Sequence, residues 1–206
     1  MFEGFKGAIK YKHLVLGINA IFFYVGIEVG IPGQLLFYLG KPVADGGVLG
    51  SVAIAGVIAG FYWLLMLVGR LTSAFISGAV SSRTQLTTVS LVAIILLVAA
   101  IFMPEASKIT LAGAEVPFKV VLIIACGLCT SVMWGVIFNL ATEGLGKYTA
   151  SASGLFMTMV VGGGIMPFIQ NITADIIGDI NSYWIVVAML AYLLFYALVG
   201  SKPSKK

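Results

Sequence analysis

Charge is scarce in this sequence. Of 206 residues, twelve are Lys or Arg and eight are Asp or Glu, so only 10% are charged. A water-soluble domain carries about 25%, and a chain this poor in charge cannot cover a solvated globule. The net charge of +4 is not a nucleic-acid signal, because the basic residues stand singly at the ends of apolar runs and form no cluster. Histidine occurs once, as His13, and cysteine twice, as Cys126 and Cys129. The cysteine spacing would suit a zinc or redox pair, but no further Cys or nearby His completes it. Two small hydrophobes on one helix is the better reading. There is no H-E-x-x-H, no G-x-S-x-G, and no pair of acids within two apolar runs. His13 stands at the edge of the first run, placed to cap or snorkel and not to catalyse. These absences argue against an enzyme, and no ring of filter residues suggests a channel.

What the chain has in abundance is hydrocarbon. Hydrophobic residues make up 60% of it, and the mean hydropathy is +1.09. A helix that spans a bilayer needs about 20 apolar residues. Six runs qualify, at residues 14–38, 49–80, 86–103, 120–141, 149–174 and 183–200. The expected fold is all-α: one integral membrane domain, a six-helix bundle. Lys6, Lys10 and Lys12 precede the first run, and no small-residue cleavage site closes it, so it is read as an uncleaved span. Six spans put both ends on one side. That side carries Lys6, Lys10, Lys12, Arg83, Lys147, Lys202, Lys205 and Lys206; the other carries Lys41, Lys108 and Lys119 among five acids. The positive-inside rule then makes both termini cytoplasmic. The third span has a complete apolar face and is expected to contact lipid. Residues 104–119 read as the longest polar connection.

The stretch Tyr24-Val-Gly-Ile-Glu-Val-Gly-Ile-Pro-Gly33 breaks the pattern. Glu28 is the only acid deep in an apolar run, and a carboxyl group in hydrocarbon must be protonated, paired or wetted. Gly26 and Gly30 let another helix come close, and Pro32 frees a backbone carbonyl. Together they suggest a lined cavity; a kinked helix with its Glu in a protein-filled interior is the alternative. Asn19 is seven residues past Lys12, and Asn139 eight before Lys147. At about 1.5 Å per residue both lie roughly 10–12 Å from the cytoplasmic boundary, and Glu28 lies roughly 24 Å from it. Trp134 falls nearer the middle, with Gln34, Gln170 and Asn171 outward, which suggests a polar path. Trp134 offers a flat surface on which a sugar ring could stack, or it simply packs. Gly56 and Gly60, four apart, are a close-packing signature. The fifth span is rich in small residues, and Gly162-Gly-Gly164 with Pro167 makes a plausible hinge, or only a packing face.

Four segments resemble one family in register. Phe22-Phe-Tyr-Val-Gly-Ile-Glu-Val-Gly30 is similar to the seventh helix of the fucose:proton symporters, a sugar branch of the major facilitator superfamily. Val68-Gly-Arg-Leu71 resembles the end of their eighth helix. Met133-Trp134, Ile137-Phe138 and Gly144-Leu-Gly-Lys147 resemble the tenth helix and its loop, and Val160 to Pro167 resembles the eleventh. The resemblance implies the C-terminal half of a two-half transporter, with substrate and proton sites between the halves. It implies a cavity-lining role for Glu28, a gating or structural role for Arg70 near the cytoplasmic gate, and a pore-side place for Asn139. Trp134 stands where many members have Phe. The family assigns its coupling acids mainly to the N-terminal half, which this chain lacks. The function it implies is half of a sugar:proton symporter for a fucose-, glucose- or galactose-type monosaccharide. Its expected partners are the sugar, a proton, the lipid bilayer, and the missing half or a second copy. A truncated, non-transporting remnant or a homodimerising half is the alternative.

Overall fold

The computed structural model describes residues 6–76 and 78–203, except the side chain of Ile76. Met1, Ser77 in the second expected run, and Lys205 and Lys206 of the basic tail lie outside the described residues. Among the described residues six helical rods are long and apolar enough to cross a membrane: Lys12–Gly40, Val52–Phe75, Ser82–Phe102, Lys119–Thr142, Gly146–Ile177 and Tyr183–Gly200. The fold is thus the all-α membrane bundle that the hydropathy implies.

The first rod, α1 (Lys12–Gly40), is the axis of the bundle. Its 29 residues would extend about 43 Å, well beyond a hydrocarbon core of about 30 Å. Pro32 lies inside it without ending it. The Tyr183 hydroxyl donates to the Ile31 carbonyl at 2.8 Å, an outside partner for the backbone beside the proline. Around α1 stand α2 (Val52–Ile76), α7 (Gly162–Ile177) and α8 (Tyr183–Phe195). The third rod is α3 (Ser82–Phe102), whose N-cap Ser81 accepts from the Thr84 amide. It is not wholly a lipid-facing helix. Leu86, Ser90, Ala93, Leu97 and Ala100 are buried on one face, because small and branched residues at helical spacing pack there against the fourth and sixth rods.

The fourth rod is interrupted. It divides into α4 (Lys119–Thr130) and α5 (Met133–Thr142), with Ser131 and Val132 between them. The fifth divides likewise, into α6 (Thr149–Thr158) and α7, joined by a 3₁₀ turn at Met159–Val161. That irregular turn directly precedes the glycine triplet, where the sequence suggested a hinge. The sixth closes with a π-helical turn at Tyr196–Gly200. There the Tyr196 hydroxyl donates to the His13 carbonyl, so the start of the first rod and the end of the last lie at one end of the bundle.

Glycines decide how the rods cross. A β-carbon on Gly162 would collide with the Phe22 carbonyl oxygen, and one on Gly26 would meet Met166. These close approaches weld α1 to α7 along the small face of the fifth rod. Gly127 does the same for α4 against the Tyr62 carbonyl, and Gly69 for α2 against Ser131. Gly56 and Gly60, expected to mark a close crossing, meet nothing within 4 Å; their side of α2 faces outward.

The connection at 104–119 is not a plain polar loop. It forms an antiparallel hairpin, β1 (Lys108–Leu111) with β2 (Ala114–Pro117), Lys108 opposite Pro117 and Leu111 opposite Ala114. Ala112 and Gly113 both take positive φ, 51° and 77°, the form of a tight two-residue turn. Val116 is buried and anchors the hairpin to the bundle. Beside it, Glu105 takes the Tyr38 hydroxyl at 2.8 Å and the Lys119 ammonium at 2.6 Å. Three rod ends are tied there by one carboxylate.

Candidate substrate and proton site

Glu28 does not stand alone. Its Oε1 lies 3.1 Å from a guanidinium nitrogen of Arg70, joining α1 to α2. The Glu28 side chain is 15% exposed and that of Arg70 54%. The same Arg70 nitrogen also approaches the Met66 sulfur at 3.5 Å, one turn earlier on α2. An acid in an apolar run needs a partner, and this is the partner. Arg70 joins α2 to α1 by meeting Glu28. Counting upright helices put Glu28 roughly 24 Å from the cytoplasmic boundary, while the resemblance implied a place near the cytoplasmic gate for Arg70. The pair shows them level, because rods of unequal length that cross at an angle do not keep a common count.

One turn before Glu28 on α1 is Tyr24, wholly buried, its hydroxyl beside the Glu28 carboxylate and the Arg70 guanidinium. Its ring meets that of Trp134 edge to face, with centroids 6.1 Å apart. Trp134 is partly buried and is the second residue of α5, just after the break in the fourth rod. Behind this group the Tyr62 hydroxyl and Thr130 Oγ1 are hydrogen-bonded at 2.8 Å. The structure thus gathers Glu28, Arg70 and Trp134 around Tyr24. Such a group can hold or release a proton at a carboxylate, offer a guanidinium to hydroxyls, and present an indole surface. Sequence reasoning missed Tyr24 as a member, although its place one turn from the only deep acid was a usable signal.

The other candidates lie elsewhere. Asn19 is exposed and sits beside the Tyr192 hydroxyl. Asn139 is exposed too, but borders a groove with Arg83 and Glu143 at the end where the termini lie. The two amides have different neighbours. Gln34 and Gln170 belong to the α1–α7 seam. Gln34 Nε2 donates to Asp179 Oδ1 at 2.6 Å, and Lys41 pairs with the same oxygen at 2.8 Å. Gln170 is 1% exposed and lies against Gly30, with neither amide atom bonded. Among the described residues no group of three or more His, Cys, Asp or Glu could hold a metal ion.

This is the architecture of a multi-span membrane protein, with a bridged acid and aromatic rings inside one half-sized bundle. The backbone superposes on a major facilitator superfamily transporter, FucP, solved in the outward conformation, with a TM-score of 0.77 at 19% identity. The match covers 95% of this chain and 43% of that one. A second crystal structure, of the Escherichia coli fucose:proton symporter, gives 0.78 at 20% identity, over 94% and 43%. In sequence the chain is 36% identical to a glucose/galactose transporter of Brucella abortus over 195 residues, 95% of this chain and 44% of that protein. It is 22% identical to the L-fucose-proton symporter of Escherichia coli over 188 residues, 90% and 39% respectively. No family model matches the chain. The chain has the fold of one half of a major facilitator superfamily transporter, and proteins named as sugar transporters are among those it resembles. It spans less than half the length of those relatives.

Proposed function

We propose that this chain is the C-terminal half of a secondary active sugar transporter. With an N-terminal six-helix half it carries a monosaccharide of the glucose, galactose or fucose kind together with a proton. The names of the relatives support the substrate class, and the half-length match supports the need for a partner bundle. The observation that carries the reading is the Glu28–Arg70 pair beside Tyr24 and Trp134. Protonation of Glu28 removes the charge that holds Arg70, and the freed guanidinium turns its donors to sugar hydroxyls. Deprotonation draws it back and loosens the sugar. Trp134 supplies the ring face for stacking. Transport is by alternating access, the two bundles rocking about a site between them. The breaks at Ser131–Val132 and Met159–Val161 give this half places to bend. The basic end, with Lys12, Arg83, Lys147 and Lys202, faces the cytoplasm of a bacterial inner membrane.

The test is uptake by proteoliposomes containing the chain with its N-terminal half. An inward proton gradient drives uptake of labelled glucose, galactose or fucose, and Glu28→Gln removes that drive. Wild-type counterflow and wild-type gradient-driven uptake in Glu28→Gln would defeat the assignment.

A further inference from the structure

At the end of the bundle opposite the termini, two grooves adjoin along α1 and α7. The larger, about 470 Å³, is walled by Tyr38, Lys41, Asp175 and Asp179; the smaller, about 230 Å³, shares Lys41 and Asp175 and adds Gln34 and Asn171. The larger falls within the range of small-molecule sites, about 300–1,000 Å³. Its wall combines a tyrosine ring with carboxylates, amides and one ammonium.

Two details bear on what this wall could hold. Asp179 accepts both Gln34 and Lys41 on one oxygen, Oδ1, and its Oδ2 takes no bond among the described residues. Gln34 is 3% exposed, its nitrogen is used, and its Oε1 has no donor. A buried acceptor without a donor is costly, and a hydroxyl group that reached it from the smaller groove, which Gln34 helps to wall, would satisfy it. A cation fits poorly. The carboxylates do not converge as a metal site would require, and Lys41 already neutralises one of them. What suits acceptors, amide donors and a ring face together is a neutral polyol.

We propose that these grooves form a second sugar subsite, an entry site for a hexose, separate from the Glu28–Arg70–Trp134 group. The choice of hexose rests on the transporter reading; the location does not. Asp175, exposed at the rim, and Asn171 contact the hydroxyls, and the Tyr38 ring backs the sugar.

The experiment is saturation-transfer difference NMR on the full chain in lipid nanodiscs, with D-glucose, D-galactose and L-fucose as probes. Asp175→Asn and the double variant Asn171→Ala/Asp175→Asn each lower the transfer signal of at least one sugar, the double by about tenfold, while Glu28→Gln leaves it in place. An unchanged helical spectrum and gel-filtration profile separate this loss from misfolding, and Asp175→Asn alone tests the site should the double variant misfold. Signal that survives both rim variants, or that vanishes in Glu28→Gln, overturns the subsite. So does displacement of the sugar by calcium chloride, which would assign the grooves to a cation. Absence of transfer from all three sugars overturns it as well. Failure of the unmutated complete assembly to take up sugar under a proton gradient, with rim binding intact, would defeat the transporter reading and leave this site standing.

Discussion

The carboxylate of Glu28 and the guanidinium of Arg70 meet at 3.1 Å, the one bridging the first rod to the second. Each is the answer to the other's burial cost. A lone carboxylate in hydrocarbon is expensive, and so is a lone guanidinium. Removing one partner therefore differs from removing both. Arg70→Gln is expected to lower the thermal midpoint in detergent and to abolish gradient-driven uptake by the complete assembly. Glu28→Gln with Arg70→Gln is expected to recover most of the midpoint without the uptake. A double variant as unstable as Arg70→Gln alone would mean that the pair is incidental to the fold.

Gly162 is pressed against the Phe22 carbonyl, and Gly164 two positions on meets nothing within 4 Å. Their alanine variants separate packing from composition. Gly162→Ala must push α7 away from α1, at a cost of about 1–3 kcal/mol. Gly164→Ala is expected to be neutral or slightly stabilising, since alanine favours the helix. Thermal unfolding of the two variants in one detergent decides it, and equal midpoints would remove the argument for a glycine seam.

Lys119 is 5% exposed, and its ammonium rests on Glu105, which also holds Tyr38. Glu105→Ala leaves a buried ammonium unpaired, whereas Lys119→Met replaces it with a chain of similar length. The first is expected to destabilise by about 1–3 kcal/mol and the second by less. Proteolysis of the 104–119 connection is a second readout, since freeing Glu105 releases the hairpin from the rod ends. Equal sensitivity in the two variants would show that the ammonium itself is not the issue.

The sequence made the membrane bundle plain because hydropathy is a property of whole runs, and about 20 apolar residues admit few alternatives. It also singled out Glu28, since one acid in hydrocarbon is a local anomaly. Arg70 as its partner was less legible, because depth counted along one helix says nothing of how a second one leans. Trp134 was found by residue type, but its neighbour Tyr24 makes no anomaly of its own in an apolar run. The hairpin was hidden by its turn: Ala112-Gly113 lacks the Asn or Asp that usually announces such a reversal. The breaks in the fourth and fifth rods fell between residues that all suit a helix. Only packing distinguishes Gly162, which touches a carbonyl, from Gly56, which touches nothing.

Trp134 and Tyr24 meet edge to face, with part of the indole left uncovered by the rest of the bundle. If that surface stacks on a sugar, its size matters less than its presence. Trp134→Phe keeps an aromatic face and is expected to hold KM for uptake within about threefold. Trp134→Ala removes it, together with an aromatic pair of about 0.5–1.5 kcal/mol. The loss of stacking is expected to raise KM by about tenfold, equivalent to about 1.4 kcal/mol. A readout on stability keeps the two roles apart. A packing residue would lower the thermal midpoint in both variants and leave KM alone, whereas a sugar platform moves KM in the alanine variant only. Labelled-sugar uptake against concentration, measured beside thermal unfolding of the same preparations, distinguishes the two.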